Sequence, residues 1–316
     1  MKYNILGKSG IKVSELCFGV LPMGPLQANI SVKDGAEVIL QGLNSGINFL
    51  DTAQAYKTYP YIKLALADYS GEIVIASKSV ATGYDEMKEA VLEACREMNR
   101  DYIDIFHLHA HKEVKDVFQK RAGALSCLID LKKEGVIRAI GISTHAVEVV
   151  EKAAEIEEID IVFPIINMVG LGIIGGTTED MISAIHKVHK SGKGIYAMKA
   201  LAGGYLFKRI EEAINFVRKI KEIHSTAIGM INSRELMLNL KIFENKKLEQ
   251  EELAQKGIQR KKLFISRFCK GCGTCIEACP NGALSIRGGK AYVDYNLCIT
   301  CGYCVPHCPI FCLRIV

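Results

Sequence analysis

The sequence predicts an α/β fold in which a (β/α)8 TIM barrel is followed by a small cysteine-rich α+β domain. Between residues 15 and 244, eight short runs rich in β-branched and aromatic residues alternate with amphipathic stretches. Eight such strand–helix units are typical of a closed parallel barrel. After residue 262 the composition changes, and most of the twelve cysteines follow. We therefore expect a barrel at residues 1–244, a helical linker at 245–262 and a second domain at 263–316.

The elements can be predicted in chain order. Residues 2–13 contain two short runs around a glycine-containing turn, which indicates a β-hairpin. Barrel strands are expected at residues 15–20, 48–53, 73–78, 103–110, 138–144, 161–168, 194–201 and 226–232. Helical periodicity is clear in residues 85–100, where one face carries Met87, Ala90, Val91, Ala94, Cys95 and Met98. Barrel enzymes place their chemistry at the C-terminal ends of the strands, so those ends should carry the functional residues.

The cysteines of the last domain have the spacing of an iron–sulfur protein. The pattern C-x2-C-x2-C-x3-C-P occurs twice, from Cys269 to Cys279 and from Cys298 to Cys308. In two-cluster ferredoxins the fourth cysteine of each run ligates the other cluster. The predicted ligand sets for two [4Fe–4S] clusters are Cys269, Cys272, Cys275 and Cys308, and Cys298, Cys301, Cys304 and Cys279. Zinc ribbons and a disulfide framework fit less well, because zinc sites use separated C-x2-C pairs. The tail thus resembles a bacterial-type ferredoxin.

Composition argues against several other classes of protein. No charged segment followed by an apolar run opens the chain, so no signal peptide is expected. The longest uncharged stretch, residues 161–178, contains Pro164, Asn167 and four glycines and does not predict a membrane span. A scattered net charge of +5 gives no case for nucleic-acid binding. Reduced cysteines with clusters imply a cytoplasmic protein, and the four other cysteines are expected to be buried: Cys17, Cys95, Cys127 and Cys312.

Motifs at the predicted strand ends resemble the aldo-keto reductase family. They are residues 6–14 (LGKSGIKVS), 46–56 (GINFLDTAQAY), 76–78 (ASK), 104–109 (DIFHLH), 135–143 (GVIRAIGIS) and 201–204 (LAGG). They follow the order of that family along the whole barrel. Together with the cysteine-rich tail, they make the chain similar to the branch that carries a C-terminal two-cluster ferredoxin-like domain.

The resemblance implies a catalytic tetrad of Asp51, Tyr56, Lys78 and His109. Hydride delivery to a carbonyl leaves an alkoxide that needs a proton, and a phenol of pKa near ~10 is a weak acid unless a cation stabilises its phenolate. Lys78 would supply that cation, and Asp51 would orient Lys78. His109 would polarise the substrate carbonyl. Each residue alone also fits a packing or solvated role, but their joint occurrence on strands two to four favours catalysis.

The nicotinamide side of the cofactor pocket matches the family in part. Family members hold the nicotinamide amide with a Ser-Asn pair and a Gln, and stack an aromatic ring on the nicotinamide. The corresponding positions here are Ser143-Thr144, Phe163 and Met198. Lys199 replaces a small polar residue, and it would bind an anionic substrate or a cofactor phosphate, or stand at the surface.

The adenosine side is also altered. Gly203 and Gly204 belong to the cofactor loop, and Asn239 fits the asparagine on the adenine side. Glu235 occupies the place of an arginine that often holds the 2′-phosphate of NADP. A carboxylate repels phosphate and can accept a ribose hydroxyl, so NAD is favoured. Arg234 beside it leaves NADP open.

A metal site is an alternative interpretation of one strand. His107, His109 and His111 alternate, so their side chains should point to the same side, as in barrel hydrolases with His-x-His. Such sites need acidic or histidine ligands on other strands. No complementary pattern is visible beyond Asp51, and metal-dependent hydrolysis is the weaker hypothesis.

The predicted function is interconversion of a small carbonyl compound and its alcohol with NAD(H) or NADP(H), coupled to the clusters and to a redox partner protein. Hydride transfer moves two electrons together, whereas a cluster transfers one at a time. Electron exchange between the nicotinamide and the clusters therefore needs a cofactor that can do both, and a flavin is one possibility. Two other hypotheses stay open: a ferredoxin-linked reductase without nicotinamide, and a non-enzymatic redox-sensing subunit. As a helix, residues 245–262 would span about 27 Å, enough to return the tail to the catalytic face and bring one cluster near the barrel mouth.

Overall fold

The computed structural model describes residues 1–110, 113–249, 262–279, 281–298, 300 and 302–315. It begins with the predicted hairpin, in which β1 (Tyr3–Ile5) pairs antiparallel with β2 (Lys12–Ser14). The turn between them presses on the start of a barrel strand. A Cβ on Gly7, which has φ +51°, would lie 2.4 Å from the backbone nitrogen of Gly194. The hairpin therefore covers the N-terminal end of the barrel, opposite the end where chemistry is expected.

Eight parallel strands close a barrel, as predicted. They are β3 (Leu16–Gly19), β4 (Phe49–Asp51), β5 (Val74–Ser79), β6 (Ile103–Ala110), β7 (Ile137–Thr144), β8 (Ile161–Pro164), β9 (Gly194–Met198) and β10 (Ser225–Gly229). Each pairs with the next along the chain, and β10 pairs with β3. β5 and β6 are buried over their whole length, as expected for strands covered by helices outside and by side chains inside.

Three strands end three or more residues earlier than the sequence predicted, because polar side chains and backbone turns stop them. After β8, Asn167 accepts hydrogen bonds from the backbone N–H groups of Val169 and Leu171, which fixes a turn. Lys199 takes a left-handed conformation with φ +61° directly after β9. After β10, the side chain of Asn232 caps the next helix. The residues beyond these ends form the mouth of the barrel.

The helices of the barrel lie outside the strands. They are α1 (Val32–Asn44), α2 (Tyr59–Ala67), α3 (Tyr84–Met98), α4 (Val117–Lys120), α5 (Ala122–Lys133), α6 (Val147–Ala153), α7 (Thr178–Lys190), α8 (Ile210–Arg218) and α9 (Ser233–Phe243). The six residues predicted to share the inner face of α3 are all buried, as are Cys17, Cys127 and Cys312. In the described part of the chain, we find no helix with the length and apolar character that a membrane span requires.

The C-terminal module, the described residues from Leu263 onward, is a small α+β unit. β11 (Leu263–Ile265) pairs antiparallel with β14 (Leu313–Ile315), and β12 (Leu284–Arg287) pairs with β13 (Lys290–Val293). A one-turn helix, α10 (Thr274–Glu277), lies between the first two cysteines and the first hairpin. Residues 250–261, which hold most of the predicted linker, are outside the described residues, so the domain limits stay predictions.

The module packs on the loop that follows β9, at the C-terminal end of the barrel. Phe207 of the barrel belongs to the apolar core of the module. The contact is so close that glycines are needed. A Cβ on Gly204 would lie 2.2 Å from the carbonyl oxygen of Ile315, and one on Gly203 would lie 2.9 Å from the ring of Phe311. The tail therefore returns to the catalytic face, where the linker length suggested that it would lie.

Candidate active site

A cleft of about 210 Å³ opens at the C-terminal ends of the strands. Its walls include Asp51 from the end of β4, Tyr56 from the loop after it, and Met198 from the end of β9. Two residues of the C-terminal module, Arg314 and Ile315, line the same cleft. The site is therefore built from both parts of the chain.

A buried ion pair lies at the bottom of the cleft. The Nζ of Lys78, on β5, donates to the Oδ1 and Oδ2 of Asp51 at 2.7 and 2.8 Å, and to the carbonyl oxygen of Thr52 at 2.7 Å. Only 1% of the Lys78 side chain is exposed. Burial is the largest effect and opposes the charge on Lys78, but the charge of Asp51, the neighbouring Tyr56 and the hydrogen bonds to Asp51 together hold the pKa of Lys78 above its ordinary value. Lys78 is therefore a fixed cation.

Tyr56 and His109 lie above this pair. Tyr56 ends a short 3-10 turn after β4, and its ring centre is 5.0 Å from the Nζ of Lys78. The rings of Tyr56 and His109 meet edge to face, with centres 6.0 Å apart. Burial raises the pKa of Tyr56, while Lys78 and Arg314 act in the opposite direction. The four side chains of the predicted tetrad thus lie together, and Asp51 and Tyr56 of this group line the cleft.

A fifth polar side chain, which the sequence did not identify, joins this group. Tyr196, on β9, is fully buried and donates its hydroxyl to the Oδ2 of Asp51 at 2.9 Å. The Nε2 of His107 lies 2.7 Å from the same hydroxyl. Burial, and then Lys78, hold the pKa of His107 well below its ordinary value, so the neutral ring donates to Tyr196. The only signal in the sequence was a polar aromatic residue inside a buried strand.

The histidines that suggested a metal site have other contacts. His107 is bonded to Tyr196, His109 faces Tyr56, and His111 lies outside the described residues. Among the described residues, we find no group of three or more His, Cys, Asp or Glu side chains that could together bind a single metal ion.

The cysteines of the C-terminal module converge in two groups. Burial raises the pKa of Cys275, and the neighbouring sulfurs of Cys308, Cys269 and Cys272 add to the increase. The first three cysteines of the first run thus lie with the last cysteine of the second, the predicted exchange of ligands. Backbone N–H groups point at the sulfurs, with Ala291 donating to Cys269 at 3.3 Å. Hydrogen bonds of this kind stabilise cluster thiolates, so the donor set fits a [4Fe–4S] cluster.

The second group borders a small cavity within the module. Cys279, Cys298 and Cys304 line it, and Cys301 lies outside the described residues. The backbone N–H of Ala283 donates to the sulfur of Cys279 at 3.3 Å. Ile315 lines this cavity as well as the barrel cleft, so the two share a wall residue.

Comparison with known families identifies both parts of the chain. Residues 15–256 match the aldo/keto reductase family, and residues 261–309 match the 4Fe-4S dicluster domain. The chain belongs to the aldo/keto reductase family. It is an oxidoreductase of that family with a C-terminal 4Fe-4S dicluster domain, which confirms the resemblance seen in the motifs.

Named relatives of this aldo/keto reductase are distant. L-galactose dehydrogenase of Arabidopsis thaliana is 25% identical over 222 residues, which cover 65% of this chain and 67% of that protein. Methylglyoxal reductase DkgA of Escherichia coli (strain K12) is 26% identical over 193 residues, with coverage of 57% and 67%.

Solved structures share the barrel fold. The putative aldo-keto reductase PA4992 of Pseudomonas aeruginosa superposes with a TM-score of 0.67 at 23% identity, over 77% of this chain and 95% of that one. The holo form of aldo-keto reductase AKR11C1 of Bacillus halodurans gives 0.66 at 22% identity, over 80% and 94%. These likenesses bear on the fold alone.

In this aldo/keto reductase, the predicted cofactor residues follow the cleft from β9 to α9. Met198, Lys199, Gly203, Gly204 and Asn239 all line it. The Oδ1 of Asn239 is buried and has no hydrogen-bond partner among the described residues, although its Nδ2 donates to the carbonyl oxygen of Glu235 at 2.7 Å. An acceptor left open in this way fits a ligand with an amino group, as adenine has.

Of the two residues predicted to hold the nicotinamide amide, one fits that role better. The Oγ of Ser143 is buried without a hydrogen-bond partner in the described structure. The Oγ1 of Thr144 accepts from the N–H of Ala146 at 3.1 Å and is used within the protein. Phe163 lines the cleft and stacks on Tyr196, with ring centres 3.8 Å apart.

Lys199 lies in the cleft wall, where the sequence left its environment open. Its Nζ is 3.1 Å from the Nε2 of His145 and 4.3 Å from the ring centre of Phe311, a residue of the C-terminal module. Burial, followed by the nearby Arg314, holds the pKa of Lys199 well below its ordinary value. Its environment is therefore that of a site residue and not of a surface lysine.

Proposed function

We propose that this protein interconverts a small carbonyl compound and its alcohol with a nicotinamide cofactor, and that Tyr56 transfers the proton. The observation that carries the proposal is the placement of the Lys78 cation, which is held on Asp51 and lies 5.0 Å from the Tyr56 ring at the bottom of the cleft. Two relatives are named L-galactose dehydrogenase and methylglyoxal reductase, which supports carbonyl and alcohol chemistry.

Each residue of the site has a defined part in this reaction. Tyr56 donates its proton to the substrate oxygen during reduction and takes it back during oxidation. Lys78 stabilises the phenolate formed in between, because it is a buried cation that cannot turn away from Asp51. His109 orients the carbonyl opposite Tyr56. Tyr196 acts indirectly, as a positioning residue, because its hydroxyl donates to Asp51 and holds that carboxylate in place.

A nicotinamide cofactor, when bound, supplies or accepts the hydride. Asn239 would hold its adenine, and Ser143 would accept from its amide. Glu235 lines the same end of the cleft, and a carboxylate there disfavours a 2′-phosphate. We infer a preference for NAD over NADP.

The two cysteine groups would hold the predicted clusters, which supply one-electron transfer when present. Residues around the first group would suit an acidic redox partner protein. Cys272 is exposed, and Lys270 precedes it on a surface that also carries Arg267 and Lys290. This basic surface would attract an acidic electron carrier.

A second candidate is a reductase that receives electrons from the clusters without nicotinamide. This candidate is favoured by the short path between the two sites, because Ile315 lines both the barrel cleft and the cavity of Cys279, Cys298 and Cys304. A flavin would serve either candidate as a converter between one and two electrons, and remains a proposal.

An anaerobic titration of the cluster-replete protein separates the candidates. NADH and then NADPH are added while nicotinamide fluorescence and the visible absorbance of the clusters are recorded. We expect saturable binding, with NADH binding more tightly than NADPH. Bleaching of the clusters would show that the nucleotide and the clusters exchange electrons. If neither nucleotide binds, the leading candidate fails and the cluster-fed reductase takes its place.

The positioning role of Tyr196 gives a prediction for the pH profile. In Tyr196→Phe, Asp51 loses a hydrogen bond that lowers its pKa, so that pKa rises. The acidic limb of the kcat profile should move to higher pH, and kcat at its maximum should fall by roughly 10-fold, the scale of one hydrogen bond to a charged group. Turnover of a small aldehyde over a pH series measures both.

Tyr61→Phe is the matched control for this change. The hydroxyl of Tyr61 donates to the carbonyl oxygen of Ile30 at 2.8 Å, away from the cleft. It should leave the pH profile where it is. An equal shift in both variants, or no shift in Tyr196→Phe, would remove the positioning role.

A further inference from the structure

The cleft contains an arginine that forms no ion pair with a carboxylate of the described residues. Arg314, on β14, lines the cleft together with Tyr56. Its Nε is buried and has no hydrogen-bond partner in the part of the chain that the structure describes. No carboxylate in that part of the chain forms an ion pair with it. A partly buried guanidinium without a carboxylate partner leaves N–H donors open, and an anionic ligand in the cleft would satisfy them.

The arginine is held in place by the packing of the module. β14 is paired with β11, with Arg314 opposite Phe264. The next residue, Ile315, presses its carbonyl oxygen against Gly204 of the barrel. The guanidinium carbon of Arg314 lies 5.8 Å from the ring centre of Phe311. A cation fixed in this way presents its fork of N–H donors in a constant direction.

The neighbouring Lys199 does not replace Arg314 as the charged group. Burial is the main cause that lowers the pKa of Lys199, and the positive charge of Arg314 lowers it further. A lowered pKa favours the neutral form of Lys199. Burial also lowers the pKa of Arg314, but a guanidinium stays protonated at neutral pH. Arg314 is therefore the side chain at this wall of the cleft that stays positively charged at neutral pH.

We propose that Arg314 binds a carboxylate of the substrate, so that the protein acts on oxo-carboxylates and the corresponding hydroxy-carboxylates. A planar guanidinium and a carboxylate match through two parallel hydrogen bonds. The bound group shares the cleft with the reacting carbonyl, because Arg314 and Tyr56 both line it. The inference rests on the proposed carbonyl and alcohol chemistry of the same cleft, and it names the substrate class.

The arrangement also makes the C-terminal module part of the substrate site. Arg314 follows Cys308, one of the predicted cluster ligands, by six residues, and Cys312 between them donates its N–H to the sulfur of Cys308 at 3.1 Å. Substrate binding therefore requires the module in its folded position on the barrel.

The test compares carboxylated and neutral substrates in the cluster-replete protein. Pyruvate is paired with methyl pyruvate, and succinic semialdehyde with butanal. In Arg314→Gln, we expect kcat/KM for at least one of the two carboxylates to fall by about 10- to 100-fold, the range for a hydrogen bond to a charged group. The values for the neutral partners should stay within about twofold. Arg314→Lys, which keeps the charge without the fork, should lie between the wild type and Arg314→Gln.

Arg287→Gln is the matched control, because Arg287 is an exposed arginine of the same module. It should change neither class of substrate. The visible absorbance of the clusters confirms that each variant is intact. Equal losses for carboxylated and neutral substrates would overturn the proposal. A loss of NADH and NADPH affinity with unchanged preference for carboxylates would also overturn it, and would assign Arg314 to a cofactor phosphate.

Binding measured by calorimetry distinguishes a failure of the carboxylate site from a failure of the proposed function. If the wild type turns over no carbonyl compound with either nucleotide, the proposed function fails, but the binding of pyruvate and succinic semialdehyde can still be measured. Binding to the wild type that is weakened about 10-fold or more in Arg314→Gln would uphold the carboxylate site. Equal binding to both proteins, or none to the wild type, would overturn it.

Discussion

Tyr56→Phe is expected to lower kcat for carbonyl reduction by about 10²- to 10⁴-fold, the usual range for loss of a general acid. The variant keeps the ring but removes the proton that the substrate oxygen must receive. The position of Lys78 should change little, because its bonds to the Asp51 carboxylate and to the carbonyl oxygen of Thr52 remain when the Tyr56 hydroxyl is removed. Nucleotide affinity and cluster absorbance should therefore equal those of the wild type. Steady-state kinetics with a fluorescence titration measure these quantities.

Tyr59→Phe is the control for this prediction. Tyr59 is a buried neighbour whose hydroxyl lies 2.8 Å from the Oγ of Ser77, and the residue does not line the cleft. Removal of the Tyr59 hydroxyl should lower the free energy of unfolding but leave kcat within a fewfold of the wild type. If Tyr56→Phe retains most of its turnover, the proton comes from another group and the assigned role of Tyr56 is wrong.

Lys78→Met is expected to reduce both catalysis and stability. The substitution leaves the Asp51 carboxylate buried without its cation, and breaking a buried pair in this way costs about 3–5 kcal/mol in the free energy of unfolding. Turnover should fall at least as far as in Tyr56→Phe, because the phenolate loses its nearest stabilising charge. Denaturant unfolding and kcat are the measurements.

The double variant Asp51→Asn with Lys78→Met separates the two effects. Removing the stranded carboxylate should restore much of the lost stability, because no buried charge is left unpaired. Turnover should not return, since the cation is still missing. Recovery of turnover in the double variant would contradict the role given to Lys78.

The sequence predicted the barrel and the cluster module because both depend on local patterns. Alternating strands and helices predict a parallel barrel wherever they repeat eight times, and the repeated C-x2-C-x2-C-x3-C spacing specifies cluster ligands within short segments. The tetrad could also be predicted, because Asp51, Tyr56, Lys78 and His109 lie in motifs that resemble those of the aldo-keto reductase family. The structure brings all four together, while their roles stay proposals.

Local patterns were less reliable where the chain leaves the strands. β8, β9 and β10 were predicted too long, because the residues that stop them act through turn and cap hydrogen bonds and not through hydrophobicity. The position of Lys199 was open for a similar reason. Whether a lysine faces solvent or a cleft depends on what packs beside it, here Phe311 from the C-terminal module.

Contacts between distant parts of the chain were decided by the tertiary structure alone. Tyr196 donates to Asp51, 145 residues earlier in the chain, and no spacing rule connects them. Arg314 reaches the cleft of Tyr56 only because the module folds back onto Gly203 and Gly204, whose missing side chains allow the close approach. The sequence by itself determined which chemical groups the protein possesses. Packing decided which of them meet, because burial and electrostatic interaction depend on distance in space and not along the chain.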